Sequence, residues 1–185
     1  MMADACRRKR GNVFWRVLFR RFGFVAVLSL LCVGVSAVEL DDDEAPWVEG
    51  AFEMPAYPKQ GSLISFPVGI RTDITFSIDG ETISVGEDGV IRYVLVVVSA
   101  LGARNVSFEG MRCGTGERRL YATGRSDGTW SAARSDQWTK IRGSRSNHHV
   151  ELFLNYFCTI GAPAIVTPEA ARRVLLKGGA GESAK

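Results

Sequence analysis

The sequence predicts an α+β fold: an antiparallel sheet of about five to seven strands, one or two C-terminal helices packed on it, and one disulfide. Three observations support this prediction. Apolar residues alternate from one residue to the next between positions 74 and 123, and their period lengthens to about 3.6 residues between positions 150 and 157. A basic and then apolar N-terminus is typical of export to a compartment where disulfides persist.

The first strands are predicted as a hairpin followed by a central strand. Residues 74–78 alternate in polarity, Asp79-Gly80 makes a turn, and residues 83–85 continue the pattern as the returning arm. The run Val90–Val98 is rich in β-branched residues and bounded by glycine turns. It predicts a strand buried on both faces at the centre of the sheet.

A second hairpin and two helices follow. The hairpin pairs residues 106–113 with residues 119–123 across a glycine turn. A first helix is predicted after the cap residue Asn147, and a second over 168–177, with Thr167 as its cap and Gly178 as its stop. The apolar face of the first helix is expected to consist of Val150, Phe153, Leu154 and Phe157.

The first 37 residues have the three-part plan of a secretory signal. Seven basic residues precede the uncharged apolar run Phe22–Gly34, and small residues precede a cleavage site after Ala37. The apolar run has about 13 residues, fewer than the ~20 that a membrane-spanning helix needs. We predict a signal peptide at 1–37 and a periplasmic or envelope-associated protein. The alternative is an inner-membrane protein anchored by an uncleaved segment 22–37.

Export changes the charge balance of the chain. The full sequence has 23 basic and 20 acidic residues, and removing seven basic residues and one acidic residue leaves 16 against 19. The basic balance is therefore a property of the signal, and the mature chain has no basic stripe typical of nucleic-acid binding. Membrane contact is expected only through the signal segment.

Cysteine usage predicts one disulfide. Cys6 and Cys32 leave with the signal, so that Cys113 and Cys158 remain in an oxidising compartment. Closing a loop of about 46 residues stabilises a fold by roughly 4 kcal/mol at most. A metal site or a nucleophilic thiol is the alternative, but the only histidines are His148 and His149, which are adjacent in the sequence.

The chain divides into four regions. After the signal peptide, residues 38–66 form a proline-rich, acidic extension, residues 67–178 form the α+β domain, and residues 179–185 form a flexible tail. We expect the extension to be a loosely packed tether. Aromatic side chains could instead dock it on a core; they are Trp47, Phe52 and Tyr57.

Arginine and aromatic residues recur between positions 112 and 138 and suggest a binding face. Such side chains bind anionic polymers or proteins. In the alternative interpretation, the tryptophans cap the open end of the sheet while the arginines pair with acidic residues. The candidate face consists of Arg112, Arg118, Tyr121, Arg125, Asp127, Trp130 and Trp138.

A family resemblance is carried by five segments: Ser84–Tyr93, Asn105–Cys113, Leu120–Arg125, Asp127–Trp130 and Asn155–Cys158. They resemble the CNP-like family of proteobacterial envelope proteins, and the likeness extends over roughly residues 46–177. The resemblance implies a bacterial exported protein with one small domain. It brings no established activity and no catalytic residues.

Together these patterns suggest an exported, non-enzymatic binding module of the cell envelope. Its expected partner is an envelope protein or an anionic envelope polymer, with no nucleic acid, cofactor or metal. No catalytic motif appears in the sequence. The alternative is an envelope hydrolase or transferase that uses carboxylates such as Glu109 and Asp127.

Overall fold

In the described part of the chain, eight antiparallel strands form one sheet, so the predicted antiparallel sheet is confirmed with one strand more than the expected five to seven. The order across the sheet is β1-β2-β4-β5-β6-β7, with β3 also pairing with β4 and β8 with β6. The strands are β1 Leu63–Phe66, β2 Thr75–Asp79, β3 Ser84–Val85, β4 Val90–Val98, β5 Arg104–Arg112, β6 Glu117–Gly124, β7 Trp130–Ala132 and β8 Thr139–Lys140.

The computed structural model describes residues 46–69, 73–144, 146–159, 162–163, 165 and 167–179. All of them belong to one structural unit, Glu44–Lys185. The predicted signal peptide, the acidic run Asp41–Glu44 and the tail beyond residue 179 lie outside the described residues.

The central strand and the second hairpin are confirmed, and the first hairpin is wrong. The first seven residues of β4 are buried, and β5 pairs with β6 across the predicted turn. However, β2 pairs with residues 95–98 of β4 and β3 pairs with residues 91–92, so both lie along the same edge of β4. The nine-residue β4 is long enough to pair with both strands.

Two helical segments cover one face of the sheet. The helix α1 (His148–Glu151) begins at the predicted cap, where Asn147 Oδ1 accepts a hydrogen bond from the His149 N–H. It continues as a π-helical segment, Leu152–Phe157. The helix α2 (Pro168–Leu176) begins after Thr167, whose hydroxyl accepts from the Ala170 N–H, as predicted. A short β9–β10 pair, Cys158–Thr159 with Ala162–Pro163, lies between them.

The apolar face predicted for the first helix needs correction. Leu152, Tyr156 and Phe157 are buried, whereas Leu154 is 42% exposed. In a π-helix each hydrogen bond spans five residues, and the Cys158 N–H donates to the Phe153 carbonyl here. The wider turn rotates the buried positions away from the spacing of an α-helix.

The predicted disulfide joins Cys113 and Cys158, and both residues are buried. Cys113 follows β5 and Cys158 follows the π-helical segment. The bridge therefore ties the helical layer to the sheet.

The opposite face of the sheet is covered by residues 46–58. A second apolar cluster, which includes Val94, Phe108 and Tyr121, packs there against Tyr57, and the Phe52 ring lies 4.3 Å from the Tyr121 ring. The expectation of a loosely packed tether is therefore wrong for residues 46–66. In the described part of the chain, no helix has the length and apolar character needed to cross a bilayer.

Candidate functional site

Four donors surround the carboxylate of Glu49, three from strands β4 and β6 and one from Trp138 just before β8. The Arg119 Nη1 (2.5 Å) and the Trp138 Nε1 (3.3 Å) donate to Oε2. The Tyr121 hydroxyl (2.5 Å) and the Arg92 Nη2 (3.3 Å) donate to Oε1. We call these five residues the carboxylate clamp.

A bulge and a glycine place Tyr121 in the clamp. The pairing of β5 with β6 shifts by one residue between Phe108 and Glu109, so that Tyr121 and Ala122 both belong to the apolar cluster on this face. A Cβ atom at Gly110 would lie 2.9 Å from the Tyr121 ring. Because glycine has no Cβ atom, the ring can lie across the strand and its hydroxyl can reach Glu49.

Arg92 brings a buried positive charge to the clamp. Its side chain is 3% exposed, and its Nη2 lies 2.6 Å from the Asp88 Oδ2. Burial alone raises the pKa of Asp88, but hydrogen bonds from Arg92 and from the N–H groups of Val90 and Gly50 outweigh burial and hold this pKa below its ordinary value. Two carboxylates, those of Asp88 and Glu49, therefore neutralise Arg92.

Predicted face residues border the clamp at one end. The Arg112 guanidinium lies 3.5 Å from the Trp47 ring centroid and 5.5 Å from that of Trp138. Its Nη1 also lies 3.3 Å from a Glu117 oxygen. Residues 46–58 thus contribute one half of this aromatic cage.

Trp130 anchors the other end of the same segment. Its indole N–H donates to the Pro55 carbonyl at 2.9 Å, and its ring centroid lies 5.4 Å from that of Tyr57. The Tyr57 hydroxyl donates to the Arg125 carbonyl. Arg125 itself is exposed, and its Nη2 lies 3.3 Å from the Ser131 hydroxyl.

The remaining two predicted face residues lie elsewhere. Arg118 is on the opposite face of the sheet, because it alternates with Arg119 along β6. Asp127 is in the turn between β6 and β7, where it accepts from the Thr129 N–H and hydroxyl. The structure therefore brings Arg112, Tyr121, Trp130 and Trp138 against residues 46–58, whereas the side chains of Arg118, Arg125 and Asp127 lie elsewhere.

Sequence reasoning missed Glu49, Asp88 and Arg92. Glu49 lies 89 residues from Trp138 in the sequence, and a turn connects Asp88 to Arg92, so no local pattern pairs them. One signal in the sequence could have indicated that this segment packs on the sheet: aromatic residues at positions 47, 52 and 57, five residues apart, with Glu49 between the first two.

Glu109, the candidate catalytic carboxylate of the alternative function, lies beneath α1, and its partners are not arginines. His149 Nε2 (2.7 Å) and the Tyr93 hydroxyl (3.2 Å) contact its Oε2, and the Ser107 hydroxyl donates to Oε1 at 2.7 Å. Burial alone raises the pKa of Glu109, but these bonds from His149 and Ser107, with the charges of His149 and Arg118, lower it below its ordinary value. The network holds α1 on the sheet.

The described residues contain no group of three or more histidine, cysteine, aspartate and glutamate side chains able to hold a metal ion. The Cys113 and Cys158 sulfurs are joined to each other.

A family model described as the CNP1-like family matches residues 42–175. The match includes the segment 46–58 as well as the sheet and both helices. No curated protein and no solved structure matches the chain.

We predict that Glu49→Gln lowers the free energy of unfolding by about 1–3 kcal/mol, because Arg119 loses the carboxylate with which it pairs and the buried Arg92 keeps only that of Asp88. Urea unfolding followed by tryptophan fluorescence measures this loss. Glu53→Gln is the matched control: it removes the same charge from an exposed position of the same segment and should change stability by less than about 0.5 kcal/mol. Equal losses in the two variants would contradict the role of the clamp.

His148 makes stability depend on pH. Burial lowers its pKa to about 4, the charge of His149 and Arg118 acts in the same direction, and Glu109 opposes it. The unfolded side chain has a pKa of about 6.5, so between these values the unfolded state binds the proton and stability falls as the pH decreases. We expect His148→Phe, which retains the stacking on Phe76, to lose less stability than the wild type between pH 7 and pH 5. Parallel pH profiles of the melting temperature would contradict this.

Proposed function

The chain belongs to the CNP1-like family, and we propose that it is an exported module of the cell envelope that binds a partner protein and catalyses no reaction. Two features support export. The N-terminal residues have the plan of a signal peptide, and a disulfide joins the two cysteines that cleavage would leave.

An apolar strip on residues 47–54 is the observation on which the binding proposal rests. Val48 is 78% exposed, Met54 47%, and Trp47 and Phe52 39% each. Large apolar side chains clustered on a surface are typical of protein-interaction sites. We call these four residues the partner strip.

The carboxylate clamp fixes the backbone that carries the strip. Glu49 lies in the middle of the strip, and the Gly50 N–H donates to the Asp88 carboxylate at 2.8 Å. A segment held in this way loses little conformational entropy when a partner binds. The strip is therefore preorganised for docking.

The surroundings of the strip define the chemistry of the partner. Arg112 and Trp138 lie at the Trp47 end, and Trp130 lies beyond the Met54 end. Tryptophan and arginine are the residues most enriched in binding hot spots. A protein that presents apolar side chains flanked by an acidic residue complements this surface better than a uniformly anionic polymer does.

The positions of Glu109 and Asp127 favour binding over hydrolysis. Glu109 is 4% exposed beneath α1, while Asp127 lies in a surface turn. Carboxylate-dependent hydrolases bring two carboxyl groups to the same cleft on either side of the bond to be broken. Here Asp127 borders a surface cavity together with Arg104 and Arg125, and Glu109 does not line that cavity.

We predict that a photo-crosslinking residue at position 48 captures one discrete protein in the producing cells. The adduct should be in the envelope fraction. Within it, the chain that carries the crosslinking residue should begin at Val38. Position 176 on α2 is the matched control, since Leu176 is also an exposed apolar residue, 68% accessible, but lies on a helix that covers the other face. The captured partner, once purified, should bind the wild type at least about tenfold more tightly than Val48→Asp.

Equal capture from positions 48 and 176 would contradict the partner strip. Capture of polysaccharide alone would replace the protein partner with an anionic polymer. A full-length chain in the cytoplasm would contradict export, and turnover of an envelope substrate that Glu109→Gln abolishes would favour the enzyme.

A further inference from the structure

An open groove lies on the sheet face opposite the carboxylate clamp. Arg118, Leu120 and Thr123 of β6 form its floor, because alternation and the bulge at Tyr121 direct these side chains away from the clamp. Residues 131–139 form its wall. The volume is about 560 Å³, within the usual range for sites that bind small organic molecules. We call it the Arg118 groove.

Two arginines in the Arg118 groove have no ion-pair partner among the described residues. Arg118 is half-buried in the floor and Arg134 is exposed in the wall. Among the described residues, neither guanidinium group has a hydrogen bond or an ion pair, and no lining residue is acidic. By contrast, Arg92, Arg112 and Arg119 each pair with a carboxylate.

The acidic groups next to the groove are already engaged. Glu109 is the cross-strand neighbour of Leu120 on the same face of the sheet. Its carboxylate is held by His149 and Ser107, with the charge of Arg118 acting on it from a distance. Asp136 lies outside the lining and accepts a hydrogen bond from the Gln137 side chain at 3.1 Å. The groove therefore presents a local excess of positive charge, which attracts an anion.

The rest of the lining is rich in hydroxyl groups. Thr123 and Ser131 are cross-strand neighbours on β6 and β7, and Thr139 lies on β8. Ser135 and Gln137 add a hydroxyl and an amide from the wall. Such groups both donate and accept hydrogen bonds, as recognition of sugar hydroxyls requires.

We propose that the Arg118 groove binds a hydroxyl-rich organic anion, namely a sugar of one or two units that carries a carboxylate or a phosphate. Arg118 in the floor and Arg134 in the wall bind the anionic group, since a guanidinium can donate two parallel hydrogen bonds to either group. The hydroxyl and amide side chains bind the sugar. This site is independent of the partner strip, which lies on the other face.

The mature protein is titrated with glucuronate, glucose 6-phosphate, glucose and sulfate, with amide chemical shifts as the readout. We expect saturable shifts at Thr123, Ser131 and Thr139 with one or both sugar anions. The sugar anion that binds more tightly shows whether the groove prefers a carboxylate or a phosphate. Glucose and sulfate should each bind at least about tenfold more weakly, because each lacks one half of the recognised chemistry.

Variants test the two arginines separately. Arg134→Gln is exposed and should retain the fold while weakening binding about tenfold. Arg118→Lys, folded by circular dichroism, should also weaken binding because it cannot donate a fork of hydrogen bonds. Arg173→Gln on α2 removes the same charge elsewhere and should bind as the wild type does.

Absence of binding by both sugar anions would overturn the proposal. So would glucose or sulfate binding as tightly as the sugar anions, because the groove would then recognise hydroxyls alone or charge alone. Equal weakening in Arg134→Gln and Arg173→Gln would show a general charge effect and would also overturn it.

Discussion

A buried arginine in the central strand is the constraint on which one half of this structure depends. Arg92 lies in β4 with its side chain 3% exposed, and a charge in that position is costly unless it is paired. Asp88, in the turn just before β4, supplies one carboxylate. Glu49 supplies the other from 43 residues away in the sequence. The segment around Glu49 is therefore part of the fold, although it has no regular secondary structure of its own.

Both faces of the sheet carry apolar clusters, and each cluster has its own cover. Helices and a disulfide cover one face, and the segment 46–58 covers the other through aromatic side chains that pack on Phe108 and Tyr121. The segment 46–58 and the helical layer each leave a surface that is open to solvent. The segment leaves the partner strip partly exposed, Val48 and Met54 most of all, and the helical layer leaves the Arg118 groove open over β6 and β7.

The sequence correctly predicted the elements that depend on neighbouring residues or on residue counts. The β-branched run of β4, the cap of α2 at Thr167 and the pairing of Cys113 with Cys158 each follow from neighbouring residues or from counting. What could not be predicted depends on distant partners. The sequence does not show that Glu49 meets Trp138, nor that a π-helical turn shifts the buried face to Leu152 and Tyr156, because both are decided by tertiary packing.

Hydrogen exchange measured by NMR tests most directly whether the clamp makes the segment 46–58 part of the fold. The Gly50 amide donates to Asp88, and the indole N–H groups of Trp47 and Trp130 donate to main-chain carbonyls. If the segment unfolds only with the sheet, these three protons exchange about as slowly as the amides of β4. Exchange at the rate of an unprotected amide, while β4 remains protected, would show a loose tether and contradict the central role of Glu49.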